Sequence, residues 1–278
     1  MPARSSICRF STASSVFLVS IAHSTCRHVL IAVSLASHQA ALFVLSLDAP
    51  AEQQRAYACV LNAEERARAE RYIPPDVRRR FSVCRGYLRH LLGQNLGIAP
   101  AQVKLRTGQW GKPTLAHGPS PELHFNVSHS GEWALILLAH SPVGVDIELP
   151  NDRIGYRAIA SQVLSPREAQ PWQALSPAEQ EQAMLDLWVC KEAVLKALGL
   201  GIAEGLRQVT LPVPVPTVAP FSPLALAGDL LWHLEDDGSC RTNHWIDPAS
   251  WRLQMLPIIP QARAAVCTPA NIDHISLH

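Results

Sequence analysis

Apolar and polar positions divide the chain into short strand-like runs and longer helical ones. Residues 41–47, ALFVLSL, are nearly all apolar over the length of a strand and end at Asp48-Ala-Pro50, which predicts a strand that opens the folded region. From residue 53 to 71 the spacing becomes helical and charged, with Asn62-Ala-Glu-Glu65 supplying a cap and an acidic first turn. Pro74-Pro75-Asp76 breaks that pattern. Residues 77–92 predict a second helix with Phe81, Leu88, Leu91 and Leu92 on its buried side and arginines on the others, stopped at Gly93 or Gly97. A short strand at 103–106 and a turn-rich GQWGKP loop at 108–113 follow, the loop holding Lys112 between glycine and proline.

The densest stretch is 123–148, LHFNVSHSGEWALILLAHSPVGVDIE. It reads as a hairpin with an apolar second strand at 133–139, a turn at His140-Ser141-Pro142, and a further strand ending in Val-Asp-Ile-Glu. Side chains alternate along a strand, so Asp146 and Glu148 face one way while Val145 and Ile147 face the other.

Further on, Ser165-Pro-Arg-Glu168 and Ser176-Pro-Ala-Glu179 are both capping-box starts with proline at the first helical position. The second opens the strongest helix of the chain, 179–198, which stops at Gly199 and Gly201. Trp188, Glu192 and Lys196 recur every four residues and therefore form one stripe. Residues 211–216 alternate proline with apolar residues, which predicts an edge or an extended loop. Strands are expected at 230–234, 251–257 and 264–267, and the last residues carry no pattern.

Composition narrows the picture. The chain has 278 residues and 48% hydrophobic content, enough for one large domain or two ordinary ones. A formal charge of +1, from 24 basic and 23 acidic residues, gives no reason to expect nucleic acid or membrane as a partner. Locally, Arg66, Arg68, Arg71, Arg78, Arg79, Arg80, Arg85 and Arg89 make an anion-attracting stretch. Seven scattered cysteines without a C-x-x-C pair argue against a disulfide framework or a zinc site, and for free thiols in a reducing, cytoplasmic setting. No apolar run reaches membrane-spanning length. Residues 1–40 faintly imitate a secretory signal, but histidines and arginines interrupt the apolar run, so they read as a poorly ordered or misassigned extension.

Taken singly, Glu192 and Lys196 are a surface ion pair, Asp146 and Glu148 the wet face of a strand, His129 a turn histidine, and Lys112 an ordinary loop lysine. Their conjunction points elsewhere. Two carboxylates beside a buried hairpin, a third on the helix and a lysine one turn later suit Mg²⁺, which shares its shell with substrate phosphates. A lysine, a histidine and an arginine cluster would hold those phosphates. Ser128 directly before His129 is badly placed to be its nucleophilic partner, and no G-x-S-x-G, P-loop or G-x-G-x-x-G string is present.

The strings FNVSHSGEWA, GVDIE and WVCKEAVLKALGLGI, with GKP upstream, closely resemble the 4'-phosphopantetheinyl transferases, in particular the long pseudo-dimeric, surfactin-synthetase-activating type. The resemblance spans about residues 41–266. It implies an α+β fold of two similar halves, 41–143 and 144–267, with the active site in the cleft between them and a tail at 268–278. It implies transfer of 4'-phosphopantetheine from coenzyme A to a serine of an apo acyl or peptidyl carrier protein, leaving adenosine 3',5'-bisphosphate. By motif match, Asp146, Glu148 and Glu192 would hold Mg²⁺, and Glu192 would also take the proton of the carrier serine. Lys196 would stabilise the leaving phosphate and His129 would contact the pyrophosphate. Arg80 and Lys112, with Ser128 nearby, would hold the adenosine 3'-phosphate. A monomer is expected, with carriers of fatty-acid, polyketide, nonribosomal-peptide or lysine biosynthesis as partners. The rivals are a coenzyme-A-binding relative without transfer activity and an interaction protein using its arginine face; neither needs all three carboxylates. Cys190, the proline-rich 211–223 and the first forty residues depart from the family pattern.

Overall fold

A computed structural model describes residues 33, 35–108, 111–116, 123–151, 155–201, 205–215 and 250–278, together with the backbone of residues 8–10, 17–19 and 222–223. The strands β1 (Cys8–Phe10) and β2 (Phe17–Val19) pair with each other, and β3 (Gln39–Ser46) opens the first half. Helices α1 (Ala51–Cys59), α2 (Ala63–Glu70) and α3 (Pro75–Leu96) follow, then the small hairpin β4 (Leu105–Thr107) and β5 (Pro113–Leu115), then β6 (His124–Ser130) and β7 (Trp133–Ala139). The second half runs β8 (Gly144–Glu148), α4 (Ala160–Val163), α5 (Pro166–Gln173), α6 (Pro177–Leu198), β9 (Ser222–Pro223), β10 (Trp251–Met255) and β11 (Arg263–Pro269). Last comes β12 (His274–Leu277).

Two four-stranded sheets result, ordered β12-β3-β7-β6 and β8-β11-β10-β9. Alternation along the strands builds the layers. Leu42, Leu135, Leu137 and Ala139 of the first sheet meet Val145, Ile147, Ala264 and Val266 of the second in one core. Phe43, Ile136 and Leu138 face the other way, onto Leu88, Leu91 and Leu92 of α3. Ala265 and Cys267 of the second sheet face α6. The order through the molecule is therefore α3, sheet, sheet, α6. β7 is apolar at every position because both of its faces are covered.

The halves repeat one plan. In each, a strand (β3 or β8) leads through three helices to two strands that return beside it, giving the neighbours β3-β7-β6 and β8-β11-β10. The long helices α3 and α6 both have 22 residues, begin with proline in the first turn and end on a left-handed glycine, Gly97 (φ 65°) or Gly199 (φ 74°). α6 lies directly on β8: a Cβ added to Gly144 would come within 1.9 Å of the Ala193 carbonyl oxygen.

Several expectations need correction. The helical stretch 53–71 is two helices, because Asn62 caps the second: its side chain accepts from Glu65 N–H at 2.8 Å and Glu65 returns the bond to Asn62 N–H at 3.0 Å. Arg89, expected on the outside of α3 with its fellow arginines, is 1% exposed. The opening strand starts at Gln39, and Val33 and Leu35 already pack on the α3 core, so the folded region reaches back before residue 41. The patternless last residues form β12, which pairs parallel with β3 through Ile275–Ala40 and Leu277–Leu42. Residues 211–215 form a loop that bends at 213–214, and the strand expected at 230–234 lies outside the described residues. Cys59, Cys84, Cys190 and Cys267 are free thiols. Among the described residues no helix is long and apolar enough to cross a membrane.

Candidate active site

The edge strand of each sheet meets the other where β6 approaches β8. No backbone ladder joins them; side chains do. Asn126 Oδ1 accepts from Val145 N–H at 2.8 Å, Ser128 Oγ donates to Asp146 Oδ1 at 2.6 Å, and Ser130 Oγ donates to Glu148 Oε2 at 2.9 Å while accepting from Leu149 N–H at 3.1 Å. Positions two apart on β6 thus meet positions near one another on β8, as the two-residue period requires. Asp146 is 1% exposed.

α6 closes this seam. Lys196 Nζ lies 2.5 Å from Asp146 Oδ1, 3.1 Å from Ser128 Oγ and 3.2 Å from Glu192 Oε2. Its three donors are directed at three groups, from β8, β6 and its own helix. Burial alone pushes this ammonium down, but Asp146 and Glu192 outweigh burial and hold its pKa above the ordinary value. Burial and the neighbouring Asp146 push the Glu192 carboxyl up, against the pull of Lys196. Burial and Asp146 likewise raise Glu148, which Ser130 partly offsets.

From the first half, Lys112 Nζ donates to the Lys196 backbone carbonyl in the last turn of α6. Burial and the Lys196 charge lower its pKa to about 8. Arg80 and His129 stand elsewhere. Ser128 and His129 are consecutive on β6 and face opposite ways, so His129 lies on the α3 side, lining a cleft of about 300 Å³ with Leu47, Val77, Arg80, Phe81 and Gly131. Arg80 is oriented there by Asp48, which accepts from its Nε and Nη2, both at 3.1 Å. Loss of solvent and the nearby Lys196 charge lower the His129 pKa.

The structure therefore brings Asp146, Glu192, Lys196 and Ser128 together, sets Glu148 beside them and brings Lys112 to the back of Lys196. It does not gather Arg80, Lys112 and Ser128 at one spot: Arg80 shares its cleft with His129, while Ser128 belongs to the acidic cluster. Among the described residues no three His, Cys, Asp or Glu side chains are gathered as a metal-binding set. Glu148 is turned to Ser130, and the Lys196 ammonium bridges Asp146 and Glu192. The donors nonetheless fit an oxygen-loving divalent cation. Asp146 Oδ2 is buried without a hydrogen-bond partner, one lysine is shared by Asp146 and Glu192, and burial pushes both Glu192 and the nearby Glu148 toward protonation.

Asn126 and Ser130 were not singled out in the sequence. Their signal is a polar residue at every second position of a strand, 126, 128 and 130, in phase with the acids they hold.

Comparison with known proteins covers both halves. The profile of the 4'-phosphopantetheinyl transferase superfamily matches residues 142–253, and that of the 4'-phosphopantetheinyl transferase N-terminal domain matches residues 49–141. The chain is 35% identical over 204 residues to the 4'-phosphopantetheinyl transferase HetI of a Nostoc species, covering 73% of this chain and 84% of the relative. It is 30% identical over 218 residues to the 4'-phosphopantetheinyl transferase psf-1 of Bacillus pumilus, covering 77% and 82%. With the 4'-phosphopantetheinyl transferase Sfp of Bacillus subtilis it shares 24% identity over 172 residues, covering 61% and 75%.

Proposed function

The chain belongs to the 4'-phosphopantetheinyl transferase family, and on that premise we propose how its residues divide the work of the reaction. The enzyme transfers the 4'-phosphopantetheine of coenzyme A to a carrier protein. The hydroxyl oxygen of a carrier serine attacks the phosphorus that bears pantetheine. The bond from that phosphorus to the bridging oxygen breaks, and adenosine 3',5'-bisphosphate leaves with the electron pair. In-line displacement of this kind asks the protein mainly for positioning and for stabilisation of charge.

Glu192 is the group to take the serine proton: it is buried and its carboxyl is pushed up toward neutrality, which makes it a competent base. Lys196, a fixed cation in the same cluster, stabilises charge on the departing phosphate. Asp146, Glu148 and Glu192 would hold Mg²⁺, which when bound supplies Lewis-acid polarisation of the phosphoryl oxygens. His129 and Arg80 line the neighbouring cleft and bind the pyrophosphate and the adenosine 3'-phosphate. Lys112 approaches from the back of Lys196 and holds the last turn of α6 through its backbone carbonyl.

The observation that carries this reading is the meeting of Ser128, Asp146, Glu192 and Lys196, from three separate stretches of sequence, through one ammonium group. Its test is the labelling of an apo carrier protein by a fluorescent coenzyme A analogue in magnesium buffer. Asp146→Ala is expected to abolish labelling; full labelling by that variant means the acidic cluster is not the working site.

A further inference from the structure

The two halves share a buried cation that none of the roles above uses. Arg89 lies fourteen residues after Pro75 of α3, and Lys191 lies fourteen after Pro177 of α6. Arg89 is 1% exposed and Lys191 0%. Each pairs with the third-residue glutamate of the capping box that opens the preceding helix. Arg89 Nε donates to Glu65 Oε2 at 2.6 Å, where Glu65 caps α2, and Lys191 Nζ donates to Glu168 Oε2 at 2.6 Å, where Glu168 accepts from Ser165 N–H at the start of α5. Each also donates to two backbone carbonyls: Arg89 to Pro100 at 3.1 Å and Val103 at 3.0 Å, Lys191 to Val163 at 2.7 Å and Leu206 at 2.9 Å.

What differs is the next residue. After Arg89 comes His90; after Lys191 comes Glu192, and one turn on is Lys196. Consecutive helical residues are rotated about 100° from each other, so a helix that turns about its axis carries both side chains together. Lys191 is tied to the end of α4, the start of α5 and the chain after α6. On the β8 side, the Ala193 carbonyl rests against Gly144 with no room for a side chain. Contacts on both sides of α6 therefore fix its rotation and its height over β8.

We infer that Lys191, through its buried contact with Glu168, is a positioning residue for the transfer step, setting the angle at which α6 presents Glu192 and Lys196 to Asp146. The N-terminal counterpart, Arg89 with Glu65, performs the same mechanical task on a helix that presents no acid or lysine to the cluster. This rests on Glu192 and Lys196 being the working groups.

The test compares two double variants of the full chain, Lys191→Met with Glu168→Gln and Arg89→Met with Glu65→Gln, each removing both charges while a glutamine keeps its place at the cap. Folding is checked by circular dichroism, and kcat and KM for coenzyme A are measured separately with an apo carrier. The C-terminal variant is expected to lose about tenfold or more in kcat with KM for coenzyme A held within about twofold, since a small misplacement of reacting groups has effects of that size. The N-terminal variant is expected to keep its kcat. Should the C-terminal double variant fail to fold, Lys191→Arg is read instead: it keeps the charge, changes its reach, and is expected to show the same fall in kcat alone. Full kcat in the folded C-terminal variant, or in Lys191→Arg, overturns the inference, and so does an equal fall in both double variants. Glu192→Ala distinguishes the two levels: if it is fully active, the assignment of the working groups fails; if it is inactive while the Lys191 variants are fully active, only the positioning role fails.

Discussion

Lys196 donates to Asp146 at 2.5 Å, from a helix fifty residues further along the chain that lies over the same sheet. That one contact ties β8 to α6 and leaves the second oxygen of Asp146 buried and unpaired. Lys196 is shared between Asp146 and Glu192, and Glu148 lies two residues along the same strand from Asp146, so the site holds more acidic groups than the one ammonium can pair.

A magnesium titration followed by thermal unfolding should read that excess directly. An ion that binds only the folded chain adds about 2.7 kcal/mol at a hundredfold excess over its Kd. The melting temperature of the wild type is expected to rise with magnesium, and that of Asp146→Asn to stay flat. An equal rise in both proteins would place the ion elsewhere.

In the metal-free protein, Glu192 makes stability depend on pH. Its carboxyl pKa is raised by burial and by Asp146. Between the ordinary carboxylate range and neutrality, the folded chain therefore holds a proton that the unfolded chain has released. The stability due to the protonated form is present at acid pH and lost as pH rises through the folded pKa. Glu192→Gln removes that loss. Its advantage over the wild type should be larger at pH 8 than at pH 5, on the order of 1 kcal/mol or about 2–4 °C; an advantage independent of pH contradicts the assignment.

Arg80 is pre-oriented by Asp48 in the cleft with His129. A charge-assisted hydrogen bond is worth about 1.5–3 kcal/mol. Arg80→Ala is expected to raise KM for coenzyme A about tenfold or more with little change in kcat, and to change KM for 3'-dephospho-coenzyme A far less. Equal losses for both substrates would remove Arg80 from the 3'-phosphate.

Gly144→Ala tests how closely α6 lies on β8. The added methyl meets backbone, at 1.9 Å from the Ala193 carbonyl and 2.4 Å from the Ala197 nitrogen, so no side-chain rotation relieves it. Overpacking costs about 1–3 kcal/mol, and the denaturant midpoint should fall accordingly. An unchanged midpoint would mean the helix is free to lift.

Much of this was legible in the chain. The period of two placed Asp146 and Glu148 on one side of a strand, and the period of four placed Glu192 and Lys196 on one stripe, because both patterns are local. The capping boxes at Ser165 and Ser176 marked helix starts for the same reason. What escaped is what depends on distant neighbours. Arg89 looked like its exposed fellows, since only Glu65 and two carbonyls brought in by the fold make its burial tolerable. Ser128 looked like a phosphate ligand because its partner Asp146 lies on another sheet. β12 has no pattern of its own beyond a single buried isoleucine, Ile275, and owes its existence to the open edge of β3.

That last strand makes the halves inseparable. β12 follows every element of the second half, yet its hydrogen bonds are to β3, the opening strand of the first. During synthesis the outer margin of the first sheet stays bare until the ribosome has passed His274. A fragment ending at the β7–β8 turn would expose that margin for good, and should aggregate or scavenge a foreign strand unless the segment carrying β12 is supplied in trans.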